Sequence, residues 1–129
     1  AVLKVKLPHM DKWNDLRRYW ANQLNGLLSN AGIMLPREMD YSTHVYHLYI
    51  IQADDRKAMA ECLKKENIVT GVHYKTPIHL QDAYSYLGKG VGSYPVSEHV
   101  ASRILSLPMF PELTEREVSR LAKAITVLS

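Results

Sequence analysis

Two apolar stripes at helical spacing, one near each end of the chain, constrain the fold most. Leu16, Trp20, Leu24, Leu27 and Leu28 follow Trp13 in the first. Val118, Leu121, Ala122, Ile125 and Leu128 form the second. Each stripe predicts an amphipathic helix that needs a shared surface to bury its apolar side. Asp11 is a candidate cap for the first helix, with Pro8 separating it from "AVLKVKL" and Asn30 and Gly32 ending it. Thr114-Glu115-Arg116-Glu117 is a capping box that starts the second.

The segments between the stripes supply the remaining elements. "THVYHLYIIQA", 43–53, is rich in β-branched and aromatic residues and reads as a strand. A helix follows, capped by Asp54 or Asp55, with Ala58, Met59, Cys62 and Leu63 as its apolar face. "IVTGVHY" is a short second strand, and "LQDAYSYLG" gives one or two helical turns closed by Gly88. "VSEHVASRILSL" reads as a helix capped by Ser97, burying Val100, Ala101, Ile104 and Leu105 and stopped by Pro108 and Pro111. The sum is an α+β domain spanning 1–129, a small antiparallel or mixed sheet covered by helices. The end helices should cover one face of a sheet that includes Tyr46, Leu48 and Ile50.

With 129 residues and 47% hydrophobic content the chain can bury a real core. Its net charge of +3 comes from scattered basic residues, which gives no support to a nucleic-acid partner. No apolar run approaches the roughly 18 residues of a membrane span. The single cysteine, Cys62, excludes an internal disulfide and fits a reducing cytoplasm. The start "AVLKVKL" leaves Val2, Leu3, Val5 and Leu7 with little to cover them, as expected of a piece excised from a longer protein. That segment should be exposed, rearranged or paired with another copy.

The chemistry concentrates in "GVHYKTPIHLQDAY", 71–84. A metal site is poorly supported. His44 and His47 would point to opposite faces of a strand, and no cysteine pair or His-Glu-x-x-His accompanies His73 and His79. Phosphate-loop and nucleophile-elbow motifs are missing too. Two readings of the segment remain open. In one, a strand leaves the sheet, turns at Pro77 and packs its rings while the imidazoles bond backbone groups. In the other, imidazoles, phenol and lysine line a pocket for an anionic or hydroxyl-rich ligand.

The chain also resembles the C-terminal part of the DegT/StrS family of pyridoxal-phosphate-dependent sugar aminotransferases. The resemblance rests on "HVYHLYII" at 44–51, "GVHYKTPIHLQDAY" at 71–84, "YPVSEHVASRILSLPMFPELTE" at 94–115 and the opening "AVLKVKLPHMDKWNDLRR". Lys75 stands where the family usually has a proline, and Lys89 where an aromatic is common. The resemblance implies the small C-terminal domain of a fold-type I enzyme whose large domain binds pyridoxal phosphate and carries the Schiff-base lysine. That lysine motif is absent here, so no catalytic or cofactor-binding residue is expected in this chain and the piece should be inactive alone. The family reaction moves an amino group, commonly from glutamate, to a keto sugar nucleotide in the biosynthesis of surface-polysaccharide or secondary-metabolite sugars. Members are typically homodimers. On this basis His73, Tyr74 and His79 are expected to face the nucleotide-sugar. A non-catalytic binding or regulatory domain with the same fold is the alternative.

Overall fold

The computed structural model describes residues 1–127. Helix α1, Val2–Lys6, runs through a 3-10 turn at Leu7–His9 into α2, Met10–Leu27. Pro8 therefore does not separate the opening segment from the first long helix. It occupies the start of the 3-10 turn, where a missing N–H costs little. Asp11 lies in the first turn of α2 without capping it, and His9 is the N-cap residue. Val2, Leu3 and Val5 of α1 and Leu7 of the 3-10 turn are exposed.

Strand β1, Tyr49–Gln52, pairs antiparallel with β2, Ile104–Leu107. Between them lie α3, Arg56–Lys65, and α4, Pro95–Arg103; α5, Glu115–Thr126, follows. The α+β class and the small antiparallel sheet agree with the sequence. The sheet is shorter than expected: Tyr46 and Leu48 lie outside it, and Ile50 lies within. Tyr46 has φ +46°, incompatible with a strand, and its N–H donates to His44 Nδ1 at 2.8 Å. The second expected strand is reduced to one pair, Gly71 with Ser106. Met34 makes a matching single pair with Gln52 on the other edge.

The helix expected over 96–107 stops at Arg103, because Ile104–Leu107 are β2. All four β2 residues are buried. A strand buried on both faces shows no alternation, so its aliphatic run extends a helical pattern without contradiction. Ser97 does not cap α4; Tyr94 is the N-cap residue and Pro95 the first helical one.

One core joins α2, β1, α3, β2 and α5. Trp20, Leu24, Tyr49, Ile51, Leu63, Leu105, Leu121 and Ile125 are its main members. The two end helices thus bury their stripes together with the sheet residues Tyr49, Ile51, Leu105 and Leu107. Leu27, expected in the first stripe, is exposed, and Leu128 lies outside the described residues. Cys62 is half-buried rather than buried. The Tyr49 hydroxyl donates to Asn25 Oδ1 at 2.6 Å, and burial pushes this phenol well above its ordinary pKa.

Caps match their sequence signals at two places, the starts of α3 and α5. Asp55 accepts the Ala58 N–H at 2.9 Å. Thr114 and Glu117 close a reciprocal capping box. At the end of α3, Asn67 adopts φ +56° while its N–H and that of Ile68 return to the Lys64 and Leu63 carbonyls. That is a Schellman closure, and Ile68 is buried in the same core as Leu63.

Candidate functional site

The chain leaves the sheet at Gly71, whose N–H donates to the Ser106 carbonyl at 3.0 Å and whose carbonyl accepts the Ser106 N–H at 2.8 Å. The His73 ring then folds back over Gly71, and a Cβ there would stand 2.8 Å from His73 Cε1. Only glycine leaves room for that ring without a shift. His73 Nδ1 meets Ser106 Oγ at 2.8 Å, tying the turn to β2.

Beyond this anchor the backbone is presented outward. Tyr74 is 76% exposed. Pro77 leads into a 3-10 turn, Ile78–Leu80, that places His79 inward, at 8% exposure. A second 3-10 segment, Asp82–Leu87, ends at Gly88 with φ +62°, as the sequence indicated. A loop over 89–94 then delivers the chain to α4.

Glu98, in the first turn of α4, gathers these pieces. Its carboxylate accepts the Gly92 N–H at 3.0 and 2.9 Å through its two oxygens, and the Tyr94 N–H at 3.2 Å. It also meets His79 Nε2 at 2.9 Å. The Gly92 N–H, followed by the His79 and Tyr94 contacts, holds this carboxyl below the ordinary carboxylate range, against opposition from burial. An ionised carboxylate only accepts, so His79 Nε2 must carry the proton between them. The Tyr94 ring meets the His79 ring edge-on, with centroids 4.8 Å apart.

These elements enclose an open cleft of about 540 Å³. Tyr74, Thr76, Ile78, His79, Lys89 and Tyr94 form its rim and walls, and Val100, Ala101 and Ile104 close its apolar side. The structure therefore brings Tyr74 and His79 to one cleft. His73 lines a separate cleft of about 260 Å³ with His47, Gly71 and Ser106. Glu98, Lys89 and Tyr94 were not among the sequence-stated candidates. The available signal was an acidic residue one helical turn after Tyr94-Pro95, with Gly92 just upstream. Among the described residues, no three His, Cys, Asp or Glu side chains converge where they could hold a metal.

The model of the DegT/DnrJ/EryC1/StrS aminotransferase family matches residues 1–126. The chain belongs to this family. A pleiotropic regulatory protein of Geobacillus stearothermophilus is 42% identical over 91% of the chain, which spans 32% of that relative. A dTDP-3-amino-3,6-dideoxy-alpha-D-galactopyranose transaminase of Aneurinibacillus thermoaerophilus is 36% identical over 97% of the chain and 34% of its own length. Among solved structures, S. venezuelae DesV, crystallised with a ketimine intermediate, superposes with a TM-score of 0.95 at 32% identity. That match covers 99% of this chain and 35% of DesV. The chain thus spans about a third of the length of the family members it matches.

Aminotransferases of this family depend on pyridoxal phosphate in general. A covalent hold on that group needs an amine desolvated by burial or flanked by cations. Every lysine of this chain is exposed, Lys75 and Lys89 included, so none has the burial that would desolvate such an amine.

Proposed function

We propose that the chain is the C-terminal small domain of an aminotransferase that transfers an amino group, from glutamate, to a keto sugar nucleotide. The parent acts as a cytoplasmic homodimer in surface-polysaccharide or secondary-metabolite sugar biosynthesis, with pyridoxal phosphate and its lysine held by a large domain. By itself the chain does not transaminate. The observation that carries this reading is the open cleft of about 540 Å³ with two phenols, an imidazole and an ammonium around an apolar side. Such a lining offers donors to sugar hydroxyls and charge to a diphosphate, while its apolar side can receive a ring face. Tyr74 and His79 face the nucleotide-sugar directly in this proposal. His73 takes part through the turn that it anchors, one residue from Tyr74.

Titration of the chain with pyridoxal phosphate, borohydride reduction and peptide mass mapping test the assignment. Diffuse labelling of exposed amines without turnover is expected. Stoichiometric labelling of one lysine accompanied by turnover refutes it. In an enzyme that includes the cofactor domain, Tyr74→Phe or His79→Ala should raise KM for the nucleotide-sugar more than for the amino donor.

A second reading is a binding or regulatory protein that keeps the fold without the chemistry. The relative named a pleiotropic regulatory protein, 42% identical, favours it. A reading frame that encodes no cofactor domain beside this chain would support it over the first.

A further inference from the structure

Among the described residues, Lys89 is the one lysine or arginine in the lining of the large cleft, and it stands on the 89–94 loop. Tyr94 closes the same loop at the start of α4. Within itself the loop makes one backbone turn bond among the described residues, from the Ser93 N–H to the Gly90 carbonyl at 3.1 Å, and it packs no side chain into the core. It contains Gly90, Val91, Gly92 and Ser93, all exposed, and Val91 is 86% exposed. A loop of this composition has many conformations available and needs an outside tether to keep one.

That tether is a single side chain. Glu98 binds the Gly92 and Tyr94 N–H groups and simultaneously the buried His79 ring, which also lines the cleft. Gly92 has φ +88°, a conformation that an L side chain rarely adopts, and this turns its N–H toward both carboxylate oxygens. Two separate elements, the 78–80 turn and the 89–94 loop, thereby share one carboxylate.

We infer that Glu98 is a positioning residue: a latch that fixes the 89–94 loop so that Lys89 meets the diphosphate of a nucleoside-diphosphate sugar in the cleft. This rests on the cleft being the sugar-nucleotide side of the domain, as proposed above. Glu98 itself need not touch the ligand, since its carboxylate is already occupied by two backbone donors and an imidazole. Its contribution is to remove the conformational cost that an untethered loop would pay on binding.

The test uses the 129-residue chain with thymidine diphosphate glucose as probe, measured by calorimetry, and amide hydrogen exchange as a second readout. Glu98→Asp is one methylene too short to span the loop and His79, while keeping the charge. Lys89→Met removes the ammonium. Each should weaken probe binding about tenfold, on the scale of one charge-assisted contact. The double variant should be no weaker than either single one, because Glu98 acts through Lys89. Glu98→Asp should also abolish exchange protection at Gly92 and Tyr94, with protection of the Leu24 and Ile51 amides unchanged. Gly92→Ala, which breaks the loop without touching the carboxylate, should reproduce the binding loss. Additive losses in the double variant overturn the inference, as does retained protection at Gly92 in Glu98→Asp. Failure of the wild-type chain to bind this probe overturns the sugar-nucleotide reading and the purpose given to the latch. Exchange at Gly92 and Tyr94 then still decides whether the latch exists.

Discussion

The two halves of this molecule are held by different forces. Around Leu24, Tyr49, Ile51, Leu63 and Ile125 the interior is apolar and continuous across five elements. Between Tyr74 and Val96 the large side chains face outward instead: Tyr74, Ile78, Tyr86, Val91 and Val96 are all well exposed. Hydrophobic burial fixes the first half. The second is fixed by hydrogen bonds at a few points, His73 to Ser106, Glu98 to Gly92 and Tyr94, and Glu98 to His79. The difference separates stability from recognition. Side chains that hold the fold are used up inside it, whereas those on the rim remain available to meet something else.

Truncation tests this contrast most strongly. Leu24→Ala, at a fully buried site, should lower unfolding free energy by about 2–5 kcal/mol in urea titration. If it costs no more than a rim substitution, the core as drawn is wrong. Tyr49→Phe removes the hydroxyl bonded to Asn25 and should cost about 1–2 kcal/mol by the same measurement. Thr114→Ala opens the capping box of α5 and should cost about 1 kcal/mol, seen as a shift of the thermal midpoint. Tyr86→Ala and Val91→Ala should change stability by no more than about 0.5 kcal/mol. A larger loss would show that the rim is packed, and would merge the two halves.

Acid titration sharpens the same comparison. The Glu98 and Glu117 carboxyls are both held below their ordinary value of 4.5, the first chiefly by the Gly92 N–H and the second chiefly by the Thr114 hydroxyl. Each binds fewer protons folded than unfolded in that range. Their stabilisation is therefore present above pH 4.5 and is lost as pH falls through the lower folded values. Exchange protection at Gly92 should fade over that window in the wild-type chain. It should not do so in a Glu98→Gln variant, whose side chain does not titrate.

The sequence showed the apolar half better than the rim. The stripes of α2 and α5 were legible because helical periodicity and burial coincide at Trp20, Leu24, Val118 and Leu121. Even there Leu27 misled, since one helical position can satisfy the spacing and still face water. The strand at β2 was hidden by its burial on both faces. The turn at Tyr46 was hidden because aromatic, β-branched composition serves a compact loop as well as a strand. At the site, the segment bearing His73, Tyr74 and His79 stood out by residue type. What residue type cannot report is direction: three neighbours in sequence divide between two clefts. Glu98 went unnoticed because its significance lies in bonds to a loop and to a histidine nineteen positions away.

The two single-residue pairs at Met34 and Gly71 bear on how the protein behaves in a crowd. An open sheet edge is a template on which another polypeptide can add a strand, the first step toward fibrils. Here each strand is four residues long, and the outward backbone groups of Gln52 and Ser106 are already taken by Met34 and Gly71. The N–H of Ile104 is spent on the Val100 carbonyl at the end of α4. Too little unpaired ladder is left to seed growth from either side, so self-association of this domain should proceed through its side chains and remain reversible.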